Sequence, residues 1–309
     1  PQSLIGRRHP DVQPQPVSVM TSPDAAKDVS DRVRTGALAP LNHPVFRAVW
    51  ITSLVTNFGG LIQSVGAAWM MSSIASAQMV ALVQASVTLP IMLLSLAAGA
   101  LADTVDLRRI MLAAQTFMLL VSAGLAVMTY VGWITPWVLL GFTFLIGCGT
   151  AFNGPAWQAS VGDMVPREDL AGAVTLNSMG FNLARSVGPA IGGLIVAAAG
   201  AAAAFAVNAV SYVGLLVVLF RWKPDRPKQT LPREGLLAAM AGGLRYAFLS
   251  PRVTAVLLRA VVFGVGASAV QALMPLVARE GGGGPLAFGL LLGAFGVGAV
   301  GGALFVGRL

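Results

Sequence analysis

Charge is scarce in this chain. Asp, Glu, Lys and Arg make up only 10% of its 309 residues, where soluble domains carry about 25%. Hydrophobic residues make up 56%, more apolar surface than a globule in water could bury, so a soluble fold is excluded. Cysteine is almost absent: Cys148 has no partner in the sequence, which excludes a disulfide scaffold, a CxxC redox site and a cysteine metal cluster. Histidine is limited to His9 and His43, both near the start, so a histidine metal centre finds no support. No P-loop, HExxH or GxSxG pattern occurs. Nothing therefore points to ATP hydrolysis, hydrolase chemistry or a cofactor, and the chain reads as a non-enzyme. The 20 bases exceed the 12 acids and leave a net charge of +8, yet they sit in short breaks between long uncharged runs. That pattern fits loops facing an anionic bilayer and not a nucleic-acid surface.

What the chain has in quantity is long apolar runs. From Phe46 onward they recur at about 20 residues, the length that crosses a bilayer core of about 30 Å at 1.5 Å per residue. The expected spans are eight, at 46–71, 79–101, 110–131, 136–158, 171–199, 202–220, 253–277 and 285–306. Internal Pro90, Pro155 and Pro189 are tolerated in membrane bundles, where neighbouring helices re-satisfy the freed backbone groups. Residues 1–44 are rich in proline and charge without an apolar period, and read as a disordered cytoplasmic tail. Met20 opens a short polar leader, so translation is expected to start there, with residues 1–19 outside the mature protein.

Orientation follows from the bases. Arg108, Arg109, Arg167, Arg221, Lys223, Arg226, Lys228, Arg233, Arg245 and Arg252 fall on one side of the expected spans, and Arg279 alone on the other. The positive-inside bias then puts the N-terminus in the cytoplasm of a multi-pass inner-membrane protein. Between the sixth and seventh spans, residues 221–251 form a basic linker in which Leu237, Met240, Leu244 and Phe248 predict an amphipathic helix lying on the cytoplasmic face.

The domain plan is a 45–220 bundle of six spans, the linker, and a 252–309 segment with two spans of a second bundle. Leu41, Pro44 and Gly59 match Leu249, Pro251 and Gly266 at near-constant offset, as repeated halves would. By that offset Gly307-Arg308-Leu309 falls where Gly99-Ala100-Leu101 falls in the first half. The expectation is an all-α polytopic membrane protein in which eight of about twelve helices are present.

Two stretches carry a resemblance. The loop after the second span reads Gly99-Ala100-Leu101-Ala102-Asp103-Thr104-Val105-Asp106-Leu107-Arg108-Arg109. It resembles the G-x-x-x-D-R-x-G-R-R signature of the major facilitator superfamily at Gly99, Asp103, Arg108 and Arg109, and departs from it at Thr104, Asp106 and Leu107. The resemblance implies a cytoplasmic gate loop, which Arg167 would join. The alternative is a loop that only obeys the positive-inside bias, with Asp103 capping the third span.

The second stretch comprises Asn153-Gly154-Pro155-Ala156-Trp157-Gln158, Val165–Leu170 and Asn182–Gly193. It is similar to the branch of that superfamily holding bacterial enterobactin exporters and drug exporters, also described as transmembrane secretion effectors. Gly188-Pro189-Ala190-Ile191-Gly192-Gly193 is similar to the motif C of family antiporters, which is associated with export. Small residues there allow close helix approach, and the proline would bend the fifth helix.

Arg185 is the most informative single residue. It lies about 22 Å along the fifth helix, too deep for easy snorkelling. A mid-membrane arginine costs about 2.5–3.5 kcal/mol on insertion scales, so it should face a cavity or a polar partner. Ser178, Asn182, Arg185 and Pro189 share one helical face. The expected substrate cavity adds Asn57, Gln63, Asn153, Arg259 and Gln271, each of which could instead bond across to a neighbouring helix.

No carboxylate lies inside a span: Asp103, Asp106 and Asp163 sit near the cytoplasmic ends and Glu280 at the outer end. Proton coupling, which the resemblance implies, would then use a boundary acid or residues beyond these spans. The function expected is a monomeric secondary transporter in the lipid bilayer that exports a small amphipathic drug- or siderophore-like molecule by alternating access. An uptake permease of the same fold and a non-transporting receptor or scaffold are the alternatives.

Overall fold

A computed structural model describes residues 38–223 and 249–306, with Arg245 between them. The tail up to residue 37, the amphipathic linker helix and Gly307-Arg308-Leu309 lie outside the described residues. Within them all regular structure is helical. Helices α1 (Pro44–Ile74), α2 (Ala77–Thr104), α3 (Leu107–Tyr130) and α4 (Pro136–Ser160) precede a long helical run, Leu170–Arg221, and α7 (Pro251–Glu280) and α8 (Pro285–Val306) follow it. Pro44, Pro136 and Pro251 each open a helix at its first turn, where a missing N–H costs nothing. Thr135 caps α4 by accepting from the Val138 N–H at 3.3 Å.

The 52-residue run would be about 78 Å long as one rod, more than twice the bilayer core. It breaks at Gly200, whose φ of 79° and ψ of 173° lie outside the helical region. A residue with a Cβ rarely adopts that conformation. The two sides are therefore separate helices, α5 (170–199) and α6 (201–221). Their directions are read against α1. Gly180 meets Trp50 and Leu54, Gly188 meets Leu61, and Gly192 meets Ile62 and Val65, so α5 runs parallel to α1. Gly66 meets Ala204 and Phe205, and Gly214 meets Thr52, so α6 returns antiparallel to it.

Some glycines sit where two helices approach too closely for a side chain: a Cβ on Gly147 would sit 2.6 Å from the Val87 carbonyl oxygen, between α4 and α2. Apolar clusters then fill each end of the six-helix bundle. Phe46, Val49, Met111, Leu215 and Leu219 pack at the Arg108 end. Met71, Val80, Leu125, Leu139 and Phe205 pack at the Ala75 end.

Among the described residues, 6 helical stretches are long and apolar enough to cross a membrane, with Arg167–Arg221 taken as one and Pro285–Ala299 as a shorter apolar helix. The sequence divides 171–220 into two spans around 200–201, and the Gly200 break falls in that gap. The fifth helix stays helical through Pro189, the only non-helical residue in the run being Gly200.

Candidate functional site

The polar residues inside the bundle separate into those that bond to other helices and those that stay open. Gln63, expected to line a cavity, belongs to the first group. It is 4% exposed, and its Oε1 accepts from the Ser122 hydroxyl at 3.0 Å and the Asn208 amide at 2.5 Å. The same Asn208 nitrogen lies 3.2 Å from both the Ser122 Oγ and the Tyr212 hydroxyl. Gln63, Ser122 and Asn208 thus join α1, α3 and α6 in a buried knot, and this corrects the cavity expectation for Gln63. Asn153, half-buried, also bonds across to a neighbouring helix, accepting from the Gln115 side chain at 3.1 Å across α3 and α4. Asn208, Ser122 and Gln115 were not singled out in the sequence, since one amide in an apolar run carries no sign of its partner.

Further ties hold the Arg108 end together. Arg108 donates from Nε to the Leu219 carbonyl and from Nη2 to the Phe220 carbonyl, each at 2.7 Å. A guanidinium placed there satisfies two of the last carbonyls of α6 and meets the negative end of its dipole. Asp106 caps α3 by accepting from the Arg109 N–H at 3.2 Å. The cap that the alternative reading gave to Asp103 is made by Asp106, while Asp103 itself is exposed in the last turn of α2. Gly99 has open space where a side chain would go, and Arg109 and Arg167 are exposed. His43, at the start of α1, and Asp169, just before α5, lie 2.7 Å apart. Trp50 donates to the Leu176 carbonyl at 3.1 Å, and Trp157 to the Asn177 side chain at 3.1 Å.

The open group lies on α5 and α7. Ser178, Asn182 and Arg185 are exposed on one side of α5. The Ser178 hydroxyl bonds its own helix at the Val174 carbonyl, 3.0 Å away. The Arg185 guanidinium has no hydrogen-bond or ion-pair partner among the described residues. It does not brace the carbonyls around Pro189. Arg259 is likewise exposed on α7, Gln271 and Asn57 are half-buried, and Pro189 is buried.

Pro189 is buried because α8 lies against it. The glycines of Gly188–Gly193 divide between two neighbours, Gly188 and Gly192 toward α1 and Gly193 toward α8. A Cβ on Gly193 would come 2.5 Å from the Pro285 carbonyl oxygen, on Gly293 2.9 Å from that of Ser186, and on Gly296 2.8 Å from that of Arg185. The backbones of α5 and α8 therefore touch antiparallel from 285 to 296. Beyond that, Gly298, Gly301 and Gly302 have nothing within 4 Å. α7 behaves alike: Pro275 and Ala278 near its end are buried, whereas residues 254–266 are all exposed. The α7–α8 pair is thus closed onto the first six helices at the Ala75 end and parted from them toward the Arg108 end, and Arg185 sits where the parting begins.

Apolar helices of membrane-crossing length packed in this way define a multi-pass α-helical membrane protein. Residues 35–309 match the transmembrane secretion effector family, and the chain belongs to this branch of the major facilitator superfamily. It is 32% identical over 163 residues to the staphyloferrin A transporter of Staphylococcus aureus, covering 52% of this chain and 41% of that protein. With the enterobactin exporter EntS of Shigella boydii it shares 29% over 277 residues, 86% of this chain and 64% of that one. The chain thus spans less than two thirds of the length of these curated relatives.

The fold is similar to that of a bacterial homologue of the human lysosomal transporter Spinster, in an inward-facing, unoccupied conformation. The TM-score is 0.62 at 16% identity, covering 81% of this chain and 58% of that one. The POT family transporter PepTSo gives 0.54 at 18% identity, covering 83% and 52%.

Proposed function

We propose that the protein is a secondary transporter of the bacterial inner membrane that exports a small, amphipathic, siderophore-like molecule by alternating access. In this reading the chain crosses the bilayer eight times with its N-terminus in the cytoplasm. Residues 45–220 form one bundle, 221–251 the cytoplasmic linker, and 252–309 the first two helices of a second bundle of about six. The exposed, apolar run 254–266 of α7 is where the rest of that bundle would pack. The Ala75 end then faces outward, and the parted end opens to the cytoplasm, from which an exporter loads. The unit would work as a monomer, with protons as coupling ion. The relatives' names support the substrate class, since one is an exporter of enterobactin and another a transporter of staphyloferrin A.

The observation that carries this reading is Arg185. It is a charge deep in a membrane helix, exposed beside the opening and without an acid or carbonyl partner among the described residues. A cargo with carboxylate or phenolate oxygens would supply that partner. The test is export from cells expressing the complete gene at matched membrane levels. Arg185→Lys should keep part of the export, and Arg185→Met should lose it at least tenfold, about 1.4 kcal/mol, with unchanged melting temperature. Equal export by Arg185→Met and the parent would remove Arg185 from the site, and accumulation inward would make the protein an importer.

A further inference from the structure

Among the described residues, only one large side chain from α7 or α8 at the closed end is completely enclosed. Phe288 is 1% exposed and lies in a socket made by Val65, Trp69, Met274, Ala278 and Leu292. Its ring stacks on Trp69 with centroids 6.4 Å apart and an interplanar angle of 25°. Trp69 also packs on the neighbouring cluster of Ile62, Val196 and Ala204, which belongs wholly to the six-helix bundle. The indole therefore joins the core of one unit to a knob carried by the other. The adjacent α5–α8 seam is different in kind. There Gly193, Gly289, Gly293 and Gly296 bring backbone against backbone, a smooth contact over which one helix can roll on the other.

From this contrast we infer that Trp69 and Phe288 form the aromatic latch of the outer gate: the glycine seam serves as the pivot, and withdrawal of the Phe288 ring from its socket opens the outer side. The latch rests on the transporter reading and specifies its regulation. Packed interfaces switch between discrete arrangements because a buried ring is either seated or out. The stacked geometry adds attraction beyond the apolar area covered. The two residues are positioning residues, since they hold one state of the gate and touch no cargo in the closed form.

Val65, 0% exposed, lies in the Phe288 socket and reports the latch directly. In the complete gene product with Cys148→Ser, Val65→Cys should react slowly with an impermeant thiol reagent added outside intact cells. Trp69→Ala or Phe288→Ala should speed that reaction about tenfold, the equivalent of about 1.4 kcal/mol in the opening equilibrium. Trp69→Phe, which keeps a stacked ring, should stay close to the parent rate. Met111→Cys, also 0% exposed but at the other end of the bundle, should remain slow in every background. Unchanged labelling of Val65→Cys in both alanine variants, or an equal rise at Met111→Cys, would overturn the latch. Because labelling is read without cargo, failure of the transport reading shows separately, as loss of any export signal in the parent protein.

Discussion

Two amides of similar appearance in the sequence have opposite fates. Gln63 is enclosed and bonded to Ser122 and Asn208, whereas Asn182, equally polar and equally deep in apolar sequence, is exposed on α5. The difference lies in what faces each of them. Gln63 meets hydroxyl and amide partners from two other helices; Asn182 meets no partner among the described residues. Removing one member of the knot leaves the others buried and short of a partner, at a cost of about 1–3 kcal/mol. Asn208→Ala should therefore lower the melting temperature of the detergent-purified protein by several degrees, while Asn182→Ala should leave it within error. Equal melting temperatures for the two variants would show that the knot adds nothing to stability. Such contrasts are not legible in a sequence, because helical periodicity gives the face of a residue and not what stands opposite.

At the scale of elements, the turns and joints were more readable. The boundary between the expected spans 171–199 and 202–220 marks the α5–α6 reversal, and Gly200 with φ of 79° makes it. Gly200→Ala would force a Cβ into the left-handed region at about 1–2 kcal/mol. Thermal unfolding should register that loss, with no loss at Gly60→Ala, where the added methyl meets nothing within 4 Å. Gly289, Gly293 and Gly296 of α8 form a packing face, and their partner is α5. Gly296→Leu should push the two helices apart, since even a Cβ there would lie 2.8 Å from the Arg185 carbonyl oxygen. The melting temperature of the detergent-purified protein should fall by several degrees in Gly296→Leu. An unchanged melting temperature would mean that the seam yields without separating. Asp106, and not Asp103, caps α3, because Asp103 falls in the last turn of α2 and Asp106 directly before α3.

For the whole molecule, the expected orientation makes a pattern that can be checked residue by residue. With Cys148 replaced by Ser, single cysteines at Ala75, Gly132 and Ala201 should react with an impermeant reagent from outside. Cysteines at Thr104, Glu168 and Lys228 should react only after permeabilisation. The reverse pattern would place the N-terminus outside and turn the closed end toward the cytoplasm.

The sequence by itself determined that this is a helical membrane protein of the transmembrane secretion effector family. Scarcity of charge, runs near bilayer length and the motifs at 99–109 and 182–193 are local properties, and local properties survive without knowledge of neighbours. It also marked Arg185, because an unpaired charge in apolar sequence is conspicuous wherever it comes to rest. Only the tertiary structure decided which polar groups meet. Gln63 joins Asn208 across 145 positions of chain, Arg108 reaches the end of α6, and Phe288 seats against Trp69. Each pairing depends on the rotation and crossing of two helices, which many residues set together and no single spacing encodes.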